Sequence, residues 1–398
     1  MKQGLVVLVA VVSGFSGVSG VWASSPIEGG SDGARTPVEQ ALLRSVLTFE
    51  VKTPHKGYLC SASYVGKDIL MIADHCVTDD QTGEVSVDSK TPIRINGGDQ
   101  FEVAEVDSTG YMKAALKGVE PAELSDMALV RIRPRVCLPG KMDWPLIPVA
   151  GKGTLPGMKK EIMIIGAGIS NPYGEDAGQM RIGYNHRASE DEIKSSSFPA
   201  QAGTSLDEHF SVPSNSIPIM GNRVDVGVLE NKAGLIFNSS QFQTKLYVAE
   251  NSAIDMHGDS GGPMIGFDSN GNPKVIGVAS MTIENVMKSS RIVVIRDGEG
   301  NEVEHLPFPE FRDDPEVNRS LMAAFQSSIV KRLNELGYLA GGALVLRDFE
   351  MSIQNPRLGV GLYTSITEGA NADFLNRSMA KLGRNRDLDP VKCPEPAI

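Results

Sequence analysis

Short apolar runs rich in Val and Ile alternate along the chain with clusters of Gly, Pro, Asp and Asn. Between residues 42 and 170 the runs are Leu42–Val51, Ile69–Ala73, Ile93–Ile95, Met127–Ile132 and Glu161–Ile165. Runs of strand length that end on turn residues are the pattern of an all-β sandwich or barrel. A second set follows at Lys245–Glu250, Val275–Ser280, Ile292–Ile295 and Gly361–Ile366. The 3.6-residue period predicts helix in two places only. One is Val317–Leu336, where Leu321, Met322, Phe325, Ile329 and Leu333 share a face; the other is Ala370–Leu382. No internal repeat of solenoid period occurs. The pattern predicts an all-β fold with two late helices.

The start of the chain and its charge narrow the setting. Leu5–Val12 is apolar behind Lys2, and a Gly/Ser-rich segment leads to Val21-Trp22-Ala23. A cation, a short apolar run and a small residue describe a secretory signal peptide over residues 1–23. No stretch reaches the about 18 consecutive apolar residues of a membrane span. The mature chain is therefore expected to begin near Ser24 and to be secreted or periplasmic. With 38 Lys+Arg against 49 Asp+Glu, the net charge is −11. That balance argues against nucleic acid or anionic lipid as a partner, but not against a neutral or basic substrate. In an exported chain, four cysteines point to disulfides. Cys60–Cys76 with Cys137–Cys393 is one of three connectivities that remain open. No Cys-x-x-Cys or His-x-x-x-His spacing suggests zinc, and no cofactor is expected.

Three stretches carry chemistry. His75 closes Ala73-Asp74-His75-Cys76 at the end of an apolar strand; a lone histidine there is more often structural. Ser260 lies in Gly258-Asp259-Ser260-Gly261-Gly262-Pro263. That segment reads either as a Gly-rich turn or as backbone whose Gly258 and Ser260 N–H groups converge on a developing oxyanion. Asp126 opens the apolar run Met127–Ile132, as a surface cap or as a buried carboxylate orienting a histidine. Taken together, His75, Asp126 and Ser260 are the residue types of a nucleophile, its base and the group that fixes the base's tautomer.

At these residues the sequence resembles the trypsin/chymotrypsin family of serine proteases. Cys60 through Cys76 is similar to the family's disulfide loop ending in the catalytic histidine, with Asp74 where Ala is usual. Asp126-Met-Ala-Leu-Val, Ile165-Gly166-Ala167-Gly168, the complete Gly258–Pro263 motif, Ile276–Ser280 and Gly361–Thr364 with the following helix resemble further family segments in the same order. The resemblance implies two six-stranded antiparallel β-barrels with the site in the cleft between them. It implies a peptidase domain over residues 24–383, with a first barrel at about 27–145 and a second at about 160–366, and a tail at 384–398. It implies catalytic roles for His75, Asp126 and Ser260, support of Asp126 by Ser280, and an oxyanion hole at Gly258 and Ser260.

The sequence departs from that family in several places. Thr282 and Gly361 lie 79 positions apart, far more than usual, so a helix-containing insertion is expected at about 283–357. It reads either as a lid or exosite or as a solvated insertion. A second enlargement, roughly Asn185 to Gln241, reads as loops. Counting back from Ser260 without gaps puts Ile254 at the floor of the substrate pocket, followed by Asp255. Ile254 there implies a small or apolar preference; a one-residue slip makes the preference basic. Met256 stands where a pocket cysteine is common, and Thr282 where a glycine keeps the pocket entrance open. Ser280 and Gly361 complete the pocket residues. Ile27-Glu28-Gly29-Gly30 is similar to the family's activated N-terminus, whose α-amino group pairs with the aspartate at Asp259; Pro26 before the cut is atypical.

The reading is an exported serine endopeptidase working through an acyl-enzyme at Ser260. Its partners are a protein or peptide substrate and a protein inhibitor, with no membrane contact after signal removal. The alternative is a catalytically silent homologue acting as a secreted binding protein.

Overall fold

Six strands of the N-terminal part pair into one antiparallel sheet: β1 (Val46–Lys52), β2 (Gly57–Gly66), β3 (Ile69–Ile72), β4 (Ile93–Ile95), β5 (Phe101–Ser108) and β6 (Ala128–Pro134). Their order across the sheet is β4-β1-β2-β3-β6-β5. The computed structural model describes residues 36–52, 57–98, 100–117, 125–135, 144–168, 177–195, 214–223, 226–239, 246–247, 253, 258–284, 292–309, 314–354 and 357–384. Ile27, Cys137, Ile254, Asp255, Met256 and Cys393 lie outside these residues.

A second six-stranded antiparallel sheet is built from β7 (Glu161–Gly166), β8 (Arg181–His186), β9 (Ser216–Arg223), β12 (Pro263–Phe267), β13 (Pro273–Glu284) and β19 (Arg357–Ser365), in the order β8-β7-β12-β13-β19-β9. Its two ends meet: Arg187 bridges Ile219, and Ala188 N–H donates to Pro218 O at 2.9 Å. When the strands of each sheet are numbered by their own chain order and read around a ring, both give 1-2-3-6-5-4. The same strand topology therefore occurs twice, although the sequence shows no repeat.

Strand β7 explains how the two sheets share a core. Successive strand residues face opposite sides, and both faces of β7 are covered. Met163 and Ile165 join the large cluster around Phe49, Ile69, Leu70 and Met71 of the first sheet. Ile162 and Ile164 pack with Ile217, Ile219, Met264 and Tyr363 inside the second. Side chains buried so completely each contribute about 1.5–3 kcal/mol relative to exposure.

Among the described residues five α-helices accompany the sheets: α1 (Pro37–Ser45), α2 (Tyr111–Ala115), α3 (Glu190–Ser195), α4 (Pro315–Glu335) and α5 (Gly369–Arg384). The last two fall where the apolar period predicts helix. Helix α1 corrects the expected strand Leu42–Val51, because Leu42–Ser45 finish a helix and the strand starts at Val46. The reason is local. Thr36 Oγ1 accepts from Glu39 N–H at 3.2 Å, the Glu39 carboxylate accepts from Thr36 N–H at 2.6 Å, and Pro37 takes the first helical position.

The insertion holds more than a helix. Its strands β14 (Ile292–Asp297), β15 (Glu302–Pro307) and β18 (Phe349–Gln354) join β10 (Val226–Asn231) and β11 (Leu246–Tyr247), which precede it in the chain, in a third antiparallel sheet, β11-β10-β18-β14-β15. A short hairpin, β16 (Leu339–Ala340) and β17 (Leu344–Val345), follows α4. Met322, Phe325, Ile329 and Leu333 of α4 pack on Val293, Ile295, Phe349 and Met351 in a separate core. The region read as loops from Asn185 to Gln241 contains β9 and β10, and so supplies strands to two sheets. Among the described residues, no helix is long and apolar enough to cross a membrane.

Candidate active site

His75 lies in a one-turn 3-10 helix, Asp74–Cys76, that follows β3. A disulfide joins Cys76 to Cys60 of β2. The imidazole lies against this bridge, with a ring nitrogen within 4.8 Å of both sulfurs. Those sulfurs are bonded to each other, so the trio is not a metal site.

Asp126 precedes β6 and is 2% exposed, whereas His75 is 29% exposed. Asp126 Oδ1 accepts from His75 N–H at 3.0 Å, and Oδ2 meets His75 Nδ1 at 2.7 Å. A carboxylate at Nδ1 holds the proton on that nitrogen and leaves Nε2 as the basic one. Ser280 Oγ–H donates to Asp126 Oδ2 at 2.7 Å. Ser280 reaches this point because it is the extra residue of a β-bulge: Ala279 pairs with Tyr363 and Met281 with Leu362. Bulges re-aim side chains in this way. Thr364 Oγ1 accepts from Asp126 N–H at 3.2 Å and donates to Asp126 O at 3.3 Å. The acid is thus held from both sheets, by His75 of the first and by Ser280 and Thr364 of the second.

Ser260 sits on a turn pinned to both sheets and is partly buried. Its carbonyl accepts from Ser61 N–H at 2.9 Å. Gly261 N–H donates to Ala279 O, and Ala279 N–H to Gly262 O, each at 2.8 Å. Gly261 has φ +84°, and a Cβ there would lie 2.9 Å from Ala73 N, two residues before His75. The turn can lie this close to the histidine segment only because that position is glycine. Ser61 Oγ–H donates to Gly258 O at 3.0 Å while accepting from Ala167 N–H at 2.9 Å. Gly258 has φ +96°.

Asp259 is buried, and its Oδ1 accepts from Gly168 N–H at 2.7 Å. Gly168 O in turn accepts from the buried guanidinium of Arg181 at 2.6 Å. Gly166 must lack a side chain, since a Cβ there would collide with Asp259 Oδ1. The strand end Gly166–Gly168 thereby supports the Ser260 turn from behind.

The structure brings His75, Asp126 and Ser280 into one hydrogen-bonded group and seats the Gly258–Ser260 turn beside the segment that carries His75. Of the residues expected to line a pocket, Gly361 is buried in β19 opposite Thr282 of β13. The roles expected of Ile254, Asp255 and Ile27 and the pairing of Cys137 with Cys393 fall outside the described residues. No protein-family model matches the chain, and no curated protein matches it.

Sequence reasoning gave no role to Ser61, Arg181, Thr364, Tyr111 and the side chain of Asp74. Burial, followed by the charges of Asp126 and Asp74, pushes the Tyr111 phenol up to about 12. The only sequence signal was the Asp74-His75 pair itself, an acid in an otherwise apolar strand end.

Proposed function

We propose that this chain is an exported serine endopeptidase of the trypsin-like fold. The observation that carries the reading is the bidentate grip of Asp126 on His75, reinforced by Ser280, next to the turn that presents Ser260. The doubled 1-2-3-6-5-4 strand order supports the fold assignment. The Cys60–Cys76 disulfide supports an oxidising compartment.

In this reading His75 Nε2 takes the proton of Ser260 Oγ as that oxygen attacks the scissile carbonyl. Asp126 stabilises the imidazolium that forms. The N–H groups of Gly258 and Ser260 receive the oxyanion of the tetrahedral intermediate. Collapse expels the amine, which takes its proton from Nε2. Water then attacks the acyl-enzyme, with His75 acting again as base.

The test is fluorophosphonate labelling of the mature protein, read by intact mass beside Ser260→Ala. One adduct, absent from the variant, is the expected result. A folded protein that takes no label, or that keeps it in Ser260→Ala, overturns the assignment.

A further inference from the structure

The position before His75 carries a carboxylate with no part in the mechanism above. Asp74 is 0% exposed. A fully buried acid is costly unless donors compensate it, and here they come from one neighbouring segment. Ser108 Oγ–H, at the end of β5, donates to Asp74 Oδ1. Met112 N–H, in the first turn of α2, donates to Oδ2 at 3.2 Å. Gly110 N–H donates to Ser108 Oγ at 2.9 Å, which ties the segment together. Asp74 O accepts from Thr78 Oγ1 at 2.9 Å, so the histidine turn is held from its other side as well.

The titratable neighbours of this carboxylate include a second acid. Asp126 repels it, His75 is its neighbour in the chain, and the Tyr111 phenol lies within electrostatic reach of both acids. Lys113 of α2 pairs with Glu84, and Asp107 of β5 with Lys381. These outer charges therefore largely neutralise each other and leave the acid pair beside His75 as the local field.

We propose that Asp74 is a positioning residue: it clamps the Ser108–Met112 segment to the histidine turn and adds a second negative charge beside the His75–Asp126 pair. This rests on the serine endopeptidase reading. A second carboxylate there favours the imidazolium over the neutral ring. The acidic limb of the rate profile, where His75 takes up its proton, then lies higher than Asp126 alone would set it.

The experiment is kcat/KM against pH for wild type, Asp74→Asn, Asp74→Ala and Ser108→Ala. Enzyme concentrations are fixed by fluorophosphonate titration, so a change in the folded fraction does not enter. Removing the charge moves the acidic limb down by about half to one pH unit in both Asp74 variants. Ser108→Ala keeps the carboxylate but removes a donor to its charged form, and moves the limb the same way by less. Should the Asp74 variants fail to fold, the Ser108→Ala shift alone decides. An unmoved limb in every variant that folds overturns the proposal and leaves Asp74 a purely structural residue. Loss of the parent reading shows separately, as a wild type that takes no label.

Discussion

Ser280 and His75 meet on one oxygen: the Ser280 hydroxyl and the His75 ring nitrogen each lie 2.7 Å from Asp126 Oδ2. Ser280 is 154 residues from Asp126 in sequence, so this shared acceptor exists only when the two sheets are assembled. A hydrogen bond to a buried carboxylate contributes about 1.5–3 kcal/mol. Ser280→Ala is expected to lower kcat/KM by about 10-fold or more and to reduce the urea midpoint. Full activity would show that Asp126 is held well enough by His75 and Thr364.

Asp126→Asn tests the tautomer directly. An amide offers one acceptor and two donors where the carboxylate offers only acceptors. It leaves either His75 N–H or Ser280 without an acceptor, and favours the wrong imidazole tautomer. Turnover should fall on the order of 10⁴-fold, with the fold retained by circular dichroism.

Gly166→Ala probes the support behind the Ser260 turn. Its methyl group would occupy the space of the Asp259 carboxylate, and overpacking of this kind costs about 1–3 kcal/mol. Fluorophosphonate labelling should slow by more than the loss of stability accounts for, because the displaced acid adjoins Ser260. Labelling at the wild-type rate would show that Asp259 is not needed to hold the turn.

The Cys60–Cys76 disulfide closes a loop with a sequence separation of 16. Constraint of the unfolded chain by a loop of this size corresponds to about 3 kcal/mol. A Cys60→Ser/Cys76→Ser variant should lose about that much in urea unfolding. A smaller loss accompanied by a large drop in labelling would mean that the bridge serves mainly to orient His75.

Stability against pH carries its own signature of Asp74. Burial, the largest influence, pushes its carboxyl above the usual range, against hydrogen bonds from Ser108 and Met112 that lower it. The folded chain thus holds this proton to a higher pH than the unfolded chain does, and the carboxylate carries its charge above that folded value. The contribution of Asp74 is fully present below its unfolded value and declines as pH rises through the folded one. The urea midpoint of wild type relative to Asp74→Asn should therefore fall as pH rises above the usual carboxylate range. A flat difference would show that the donors fully offset burial.

Much of the fold was legible because apolar periods are local. Strands such as Ile69–Ile72, and helix α4 with its Met322–Phe325–Ile329–Leu333 face, follow from short-range pattern. The start of α1 was equally local, in Thr36, Pro37 and Glu39, but the apolar content of Leu42–Val51 concealed it. The third sheet was not legible, because its strands come from residues 226–247 and 292–354, and only their pairing marks them as one unit. At the site, the residue types of His75, Asp126 and Ser260 were readable from motifs. Ser61, Thr364 and Arg181 were not, since each acts through a contact with residues distant in the chain, or through backbone atoms that sequence does not display.

The doubled strand ring has a consequence for how the molecule comes into being. The first sheet alone does not complete the surroundings of Asp126: His75 comes from the same sheet, but Ser280, which donates to the carboxylate, and Thr364, which bonds the Asp126 backbone, come from the other. A chain stalled with only the first sheet complete would hold Asp126 without Ser280 and Thr364, and would lack the Gly258–Ser260 turn beside the histidine segment. The partition of the candidate site across the seam thus makes its geometry a report on complete assembly: the full hydrogen-bonded group exists only once both sheets have formed.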